Sequence, residues 1–92
     1  MVKLLWTPEG WEDYVSCQMN DPELISKINT LIKDISRNPF TGLGKPEPLK
    51  DNYRGWWSRR ISSEHRLAQR IVGKDAEKHI EIAHCRYHYS GT

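Results

Sequence analysis

Ninety-two residues, 37% of them hydrophobic and 28% charged, make one domain near the lower size at which a core closes without disulfides or metals, which excludes a second domain and a disordered chain. The net charge of +2 is unevenly spread: residues 1–36 hold three lysines against six acids, residues 37–70 hold eight basic residues against three acids, and residues 71–92 balance. A polyanion suits that middle segment, because phosphate binding releases counterions; a solvated basic face is the plainer explanation.

The opening MVKLLW is too short an apolar run for a signal peptide, and no stretch approaches the length of a membrane span, so the cytoplasm is the expected compartment. Residues 2–6 read as a short strand. Thr7 as N-cap, Pro8 at the first helical position and Glu9 near the positive dipole end open a helix with Trp11, Tyr14 and Val15 at helical spacing. Asp21-Pro22-Glu23 opens a second helix by the same logic. Its Leu24, Ile25, Ile28, Leu31, Ile32 and Ile35 form one apolar stripe, and it ends before Asn38-Pro39. Residues 38–55 hold three prolines and three glycines, which predicts an ordered connecting loop without continuous regular structure.

WWSRRIS, RLAQRIV and HIEIAHCRYHY then read as strands joined by the short polar turns SSEH and GKDAEK. The order of elements predicts an α+β fold with two N-terminal helices packed on one face of an antiparallel sheet. Alternation puts Trp57, Arg59 and Ile61 on one face of their strand and Trp56, Ser58 and Arg60 on the other. In the next strand Leu67, Gln69 and Ile71 look like core. Arg66, Ala68, Arg70 and Val72 then lie on an open face, where arginines beside aromatics form a platform for single-stranded nucleic acid.

Glu47 sits between two prolines in KPEP, which restricts where its carboxylate points, with Lys45 and Lys50 on either side. It reads either as a rigid solvent-facing turn or as a directed acid. His65 fits a hydrogen bond to its turn. The planar fork of Arg66 can grip a phosphate or pair with Glu47 or Glu64. Cys17 and Cys85 lack a C-x-x-C spacing and are expected as separate buried thiols. His79, His84, Cys85 and His88 invite a metal reading, but strand alternation sends His84 and Cys85 to opposite faces, so neither a metal site nor a cofactor is expected. His88, beside Arg86, Tyr87 and Tyr89, is the more interesting imidazole, although an ideal strand would point His88 and Tyr89 to opposite sides.

GLGKPEPLK (42–50), GWWSRRI (55–61), EHRL (64–67) and CRYHY (85–89) occur in order, together with W-x-x-x-x-W-E-D-Y (6–14) and KIN-x-LI-K-D-I (27–35). This series resembles the YoeB (Txe/YoeB) toxin family of the RelE/ParE superfamily over nearly the whole chain. The resemblance implies a RelE-like microbial ribonuclease fold spanning residues 1–92 and a ribosome-dependent messenger RNA endonuclease. It also implies a cognate YefM-type antitoxin, operator DNA bound through the antitoxin complex, and a toxin homodimer. By resemblance the catalytic residues are Glu47, Arg66, His88 and Tyr89, with Lys50, Arg59, Arg60 and Arg70 as RNA or phosphate contacts. The chain departs from the family pattern at Ala68-Gln69-Arg70, in the turn GKDAEK and in the extension Ser90-Gly91-Thr92. Elementary chemistry agrees: metal-free RNA cleavage needs a base for the 2′-hydroxyl, an acid for the leaving 5′-oxygen and a cation for the phosphorane, roles that suit Glu47, His88 and Arg66. The alternatives are a non-catalytic superfamily toxin that poisons another target such as a topoisomerase, and an RNA- or DNA-binding co-repressor whose activity would depend on Arg59, Arg60 and Arg70 but not on His88.

Overall fold

The computed structural model describes residues 2–85. Strand β1 (Lys3–Trp6) leads into helix α1 (Pro8–Asn20), where Thr7 accepts a hydrogen bond from the Gly10 N–H as foreseen. Asp21 accepts from the Leu24 N–H and caps helix α2 (Pro22–Arg37), whose buried residues Leu24, Ile28, Leu31 and Ile35 are the stripe read from the sequence. The remaining strands are β2 (Glu47–Pro48), β3 (Trp57–Arg60), β4 (Arg66–Val72) and β5 (His79–His84), with single 3₁₀ turns at Asp51–Tyr53 and Asp75–Glu77.

The five strands form one sheet in the order β1-β5-β4-β3-β2. The pairs β2–β3, β3–β4 and β4–β5 are antiparallel, but β1 runs parallel to β5, with Lys3 opposite His79 and Trp6 opposite Ile82. The sheet is therefore mixed, which corrects the expectation of an antiparallel one. Parallel pairing needs a long crossover, and the two helices between β1 and the later strands supply it.

Both helices cover one face of the sheet. Cys17, Leu24, Ile28, Leu31 and Ile35 from the helices pack on Ile61, Leu67, Ile80, Ile82 and Cys85, and both thiols are buried. The opposite face is less open than alternation implied. Leu49, with Tyr53 and Trp56 beside it, packs on Ala68 and Ala83 in a second, smaller cluster, so the segment after β2 folds back over one end of that face. A register shift opposite Ala68 and Gln69 leaves Ala83 as an extra residue of β5, and Ala68 and Gln69 are both fully buried on opposite sides. Among the described residues no helix is long and apolar enough to cross a membrane.

Candidate active site

Glu47 reaches its place through backbone pairing rather than through the loop alone. It lies opposite Ser58 on β3; Ser58 lies opposite Ala68 on β4, and Arg60 opposite Arg66. Adjacent strands stand about 4.8 Å apart, and side chains two positions apart share a face. The register therefore gathers Glu47, Ser58, Arg60 and Arg66 on the face away from the helices. With Lys45 they line a recess of about 240 Å³. One carboxylate thus faces three cationic side chains.

Arg66 is half-buried and pairs with neither Glu47 nor Glu64. Its Nη1 donates to the carbonyl of Ser62 at 2.8 Å and to that of His65 at 3.1 Å, so the turn between β3 and β4 holds one edge of the guanidinium. That turn is closed in part by the Ser62 hydroxyl, which accepts from the His65 main-chain N–H at 3.1 Å. Among the described residues the side chains of Glu47, Arg60 and Lys45 form no hydrogen bond or ion pair to another group, and all three are exposed. Lys50 is likewise exposed, beyond β2 on the same connecting segment.

Arg59, expected as an RNA contact, is instead enclosed away from the recess. It is fully buried on the helix-covered face, where its Nη1 lies 2.5 Å from Asp34 Oδ2 and donates to the Leu43 carbonyl at 3.0 Å. Its Nη2 donates to the carbonyls of Asn38 and Thr41. The physical reason is strand alternation, which places Arg59 with Trp57 and Ile61, toward the end of α2. Asp34 stands near the C-terminus of that helix, where the dipole disfavours an acid. The Leu43 N–H and then the Arg59 guanidinium compensate, holding its carboxyl below the usual carboxylate range. A Cβ at Gly42 (φ 106°) would collide with the Asp34 carboxylate, and one at Gly44 (φ 79°) would press on the Arg60 carbonyl and the Leu31 side chain. The loop is thus packed tightly around the buried ion pair. The Gly44 carbonyl also accepts the Arg60 N–H at 2.6 Å, so the anchored loop runs straight into Lys45 and Glu47.

Arg70 is partly committed. Its Nε bonds Glu81 at 2.7 Å and its guanidinium lies 4.5 Å from the Trp56 ring centroid, while 42% of the side chain remains exposed. The departure at Ala68-Gln69-Arg70 thus has a packing account: Ala68 fills the second cluster, Gln69 Nε2 donates to the Pro39 carbonyl at 3.1 Å, and Arg70 closes over Trp56. His88 and Tyr89 lie outside the described residues. The strand that leads to them ends against α1, where the Thr7 hydroxyl donates to the Ala83 carbonyl at 2.8 Å and Asp13 accepts the Cys85 N–H at 3.3 Å. Among the described residues no three His, Cys, Asp or Glu side chains are grouped to hold a metal ion.

Sequence reasoning gave Asp34, Lys45 and Ser58 no role in the site. An acid in the last turn of a helix was the legible signal for Asp34, and the pairing of Glu47 with Ser58 was not readable, because a two-residue strand inside a proline-rich loop carries no periodic pattern.

The family described as the YoeB-like toxin of bacterial type II toxin–antitoxin systems matches residues 6–89. The toxin YoeB of Escherichia coli K12 is 51% identical over 88 residues, which cover 96% of this chain and 100% of that protein. A YoeB/ParE toxin from Agrobacterium tumefaciens superposes with a TM-score of 0.92 at 49% identity, covering 96% of this chain and 100% of that one. YoeB of Staphylococcus aureus has been solved as a dimer (TM-score 0.85, 45% identity, 96% and 98% covered) and as a YoeB-YefM complex (TM-score 0.83, 44% identity, 97% and 99% covered). A match of this extent means that the chain, in which Glu47 and Arg66 line one recess, belongs to the family of YoeB-like toxins of bacterial type II toxin–antitoxin systems.

Proposed function

We propose that this protein is a ribosome-dependent messenger RNA endoribonuclease, the toxin of a cytoplasmic pair with a YefM-type antitoxin. The observation that carries the reading is the recess in which Glu47 meets Lys45, Arg60 and Arg66. Glu47 takes the proton of a ribose 2′-hydroxyl, and the 2′-oxygen attacks the adjacent phosphorus. The bond to the 5′-oxygen breaks as His88 donates a proton to it, leaving a 2′,3′-cyclic phosphate and a free 5′-hydroxyl. Arg66, fixed along one edge by turn carbonyls, holds charge that grows on the non-bridging oxygens, and Arg60 and Lys45 add to the positive field. Tyr89 stacks on a base or donates to the phosphate. Lys50 and the exposed part of Arg70 extend the contact along the strand, and no metal is required where cationic side chains supply the charge.

A basic recess of this kind is covered between uses by an acidic segment that folds on contact, and the YoeB-YefM complex of the Staphylococcus aureus relative supports an antitoxin in that role. Operator DNA is reached through the antitoxin. A homodimer fits the exposed Leu4, Leu5 and Trp11 at the β1 edge and its neighbouring helix, and the dimer of the same relative.

Mapping cut sites on a message translated by purified ribosomes tests the reading. Wild-type protein gives discrete cuts with cyclic phosphate ends, and Arg66→Ala and His88→Ala abolish them. Full cleavage by the His88→Ala, Tyr89→Ala double variant, or damaged DNA in place of cut messages, would overturn it.

A further inference from the structure

A second recess, of about 220 Å³, lies between α2 and the end of β3 and is lined by Ser26, Lys27, Thr30, Leu31, Arg60 and Ile61. Its floor is apolar, since Leu31 and Ile61 are both nearly buried. Its rim carries two cations, Lys27 and Arg60, both exposed. No acid lines it. The Thr30 hydroxyl is turned back to the Ser26 carbonyl at 3.0 Å, which leaves the lysine and the arginine as its charged features. Arg60 also lines the recess that holds Glu47, so the two cavities share one residue. Among the described residues the Arg60 guanidinium has no ion-pair or hydrogen-bond partner.

The geometry points to a subsite for one nucleotide flanking the scissile bond, with its phosphate between Lys27 and Arg60 and its base on the Leu31–Ile61 floor. This assignment rests on the ribonuclease reading of the adjoining recess. Two arguments select an RNA strand over other anions. The groove shares Arg60 with the recess that takes the RNA phosphate on the ribonuclease reading. A nucleotide also matches the composition of the groove, because an apolar floor under a cationic rim accepts a flat base and a phosphate together. Lys27 is therefore a substrate-binding residue on α2, an element to which neither the sequence motifs nor the family resemblance assigned one.

The test measures binding of a short RNA, fully 2′-O-methylated so that it cannot be cut, across a salt series, for the wild type, Lys27→Gln and Lys33→Gln. Lys33 lies on the same helix but lines a different groove, beside Leu4, Trp6 and Trp11. Loss of one phosphate contact lowers the slope of log affinity against log salt by about 0.7, equivalent to roughly fivefold weaker binding at 0.1 M salt relative to 1 M. The expected result is that loss for Lys27→Gln and wild-type behaviour for Lys33→Gln. Equal slopes for all three proteins overturn the subsite and leave the cleavage reading standing, because cut sites on translated messages report on that separately. A Lys27-dependent affinity for poly-glutamate but not for the RNA assigns the groove to a protein partner and overturns it as well.

Discussion

Arg59 and Arg60 are neighbours in sequence and share a chemistry, yet the sheet gives them opposite fates. Arg59 is enclosed on the helix-covered face and commits both Nη atoms to Asp34 and three loop carbonyls. Arg60 stands exposed on the other face and lines two recesses. A buried guanidinium persists where acceptors meet most of its donors, here both Nη atoms but not Nε, and a free one persists because water accepts from it. One face of β3 thus anchors the loop that carries Glu47, and the other face presents the site that uses it.

The division between anchor and site can be broken from either side. Glu47→Gln should show the largest effect, a cleavage rate down by about 10²–10⁴-fold in the ribosome assay. Its unfolding free energy in urea should stay within about 0.5 kcal/mol of the wild type, as for an exposed side chain without bonded partners. Arg59→Met should do the reverse. The change strips a partly exposed carboxylate and three loop carbonyls of a fully buried donor, and the urea midpoint should fall. An unchanged midpoint would mean that the pair contributes nothing to the anchor. Arg60→Ala comes next: loss of a charge-assisted contact of about 1.5–3 kcal/mol lowers kcat/KM by roughly 10–100-fold at unchanged stability.

The anchor also has a pH signature. Asp34 has a folded-state pKa below its ordinary value, so the stability it contributes is fully present above the unfolded value near 3.9 and is lost as pH falls through the lower, folded value. Asp34→Asn should lower stability at neutral pH and flatten the acid limb of the stability curve. An acid limb as steep as that of the wild type would remove Asp34 from the account. The smallest effect belongs to neither face: Asp21→Ala deletes the cap of α2 and should cost about 1 kcal/mol, with cleavage unchanged once the protein is folded.

Much of this was legible because it is local. The N-caps at Thr7 and Asp21, the stripe from Leu24 to Ile35 and the β4 boundaries Arg66–Val72 follow from spacing and from single-residue chemistry. Alternation had already separated Arg59 from Arg60; it was the motif resemblance that put both on the RNA. Motif similarity carries the residue type, and burial decides its use.

The sequence alone determined the two capped helices, the meander, the family and the side-chain chemistry near the site, since those depend on neighbours along the chain. Only the tertiary structure decided that β1 joins β5 in parallel, that Glu47 enters the sheet opposite Ser58, that Asp34 reaches across to Arg59, and that Lys27 and Arg60 line one recess. Each joins residues far apart in sequence, through hydrogen-bond register or a cavity wall, and no periodicity within either segment encodes which partner the other will be.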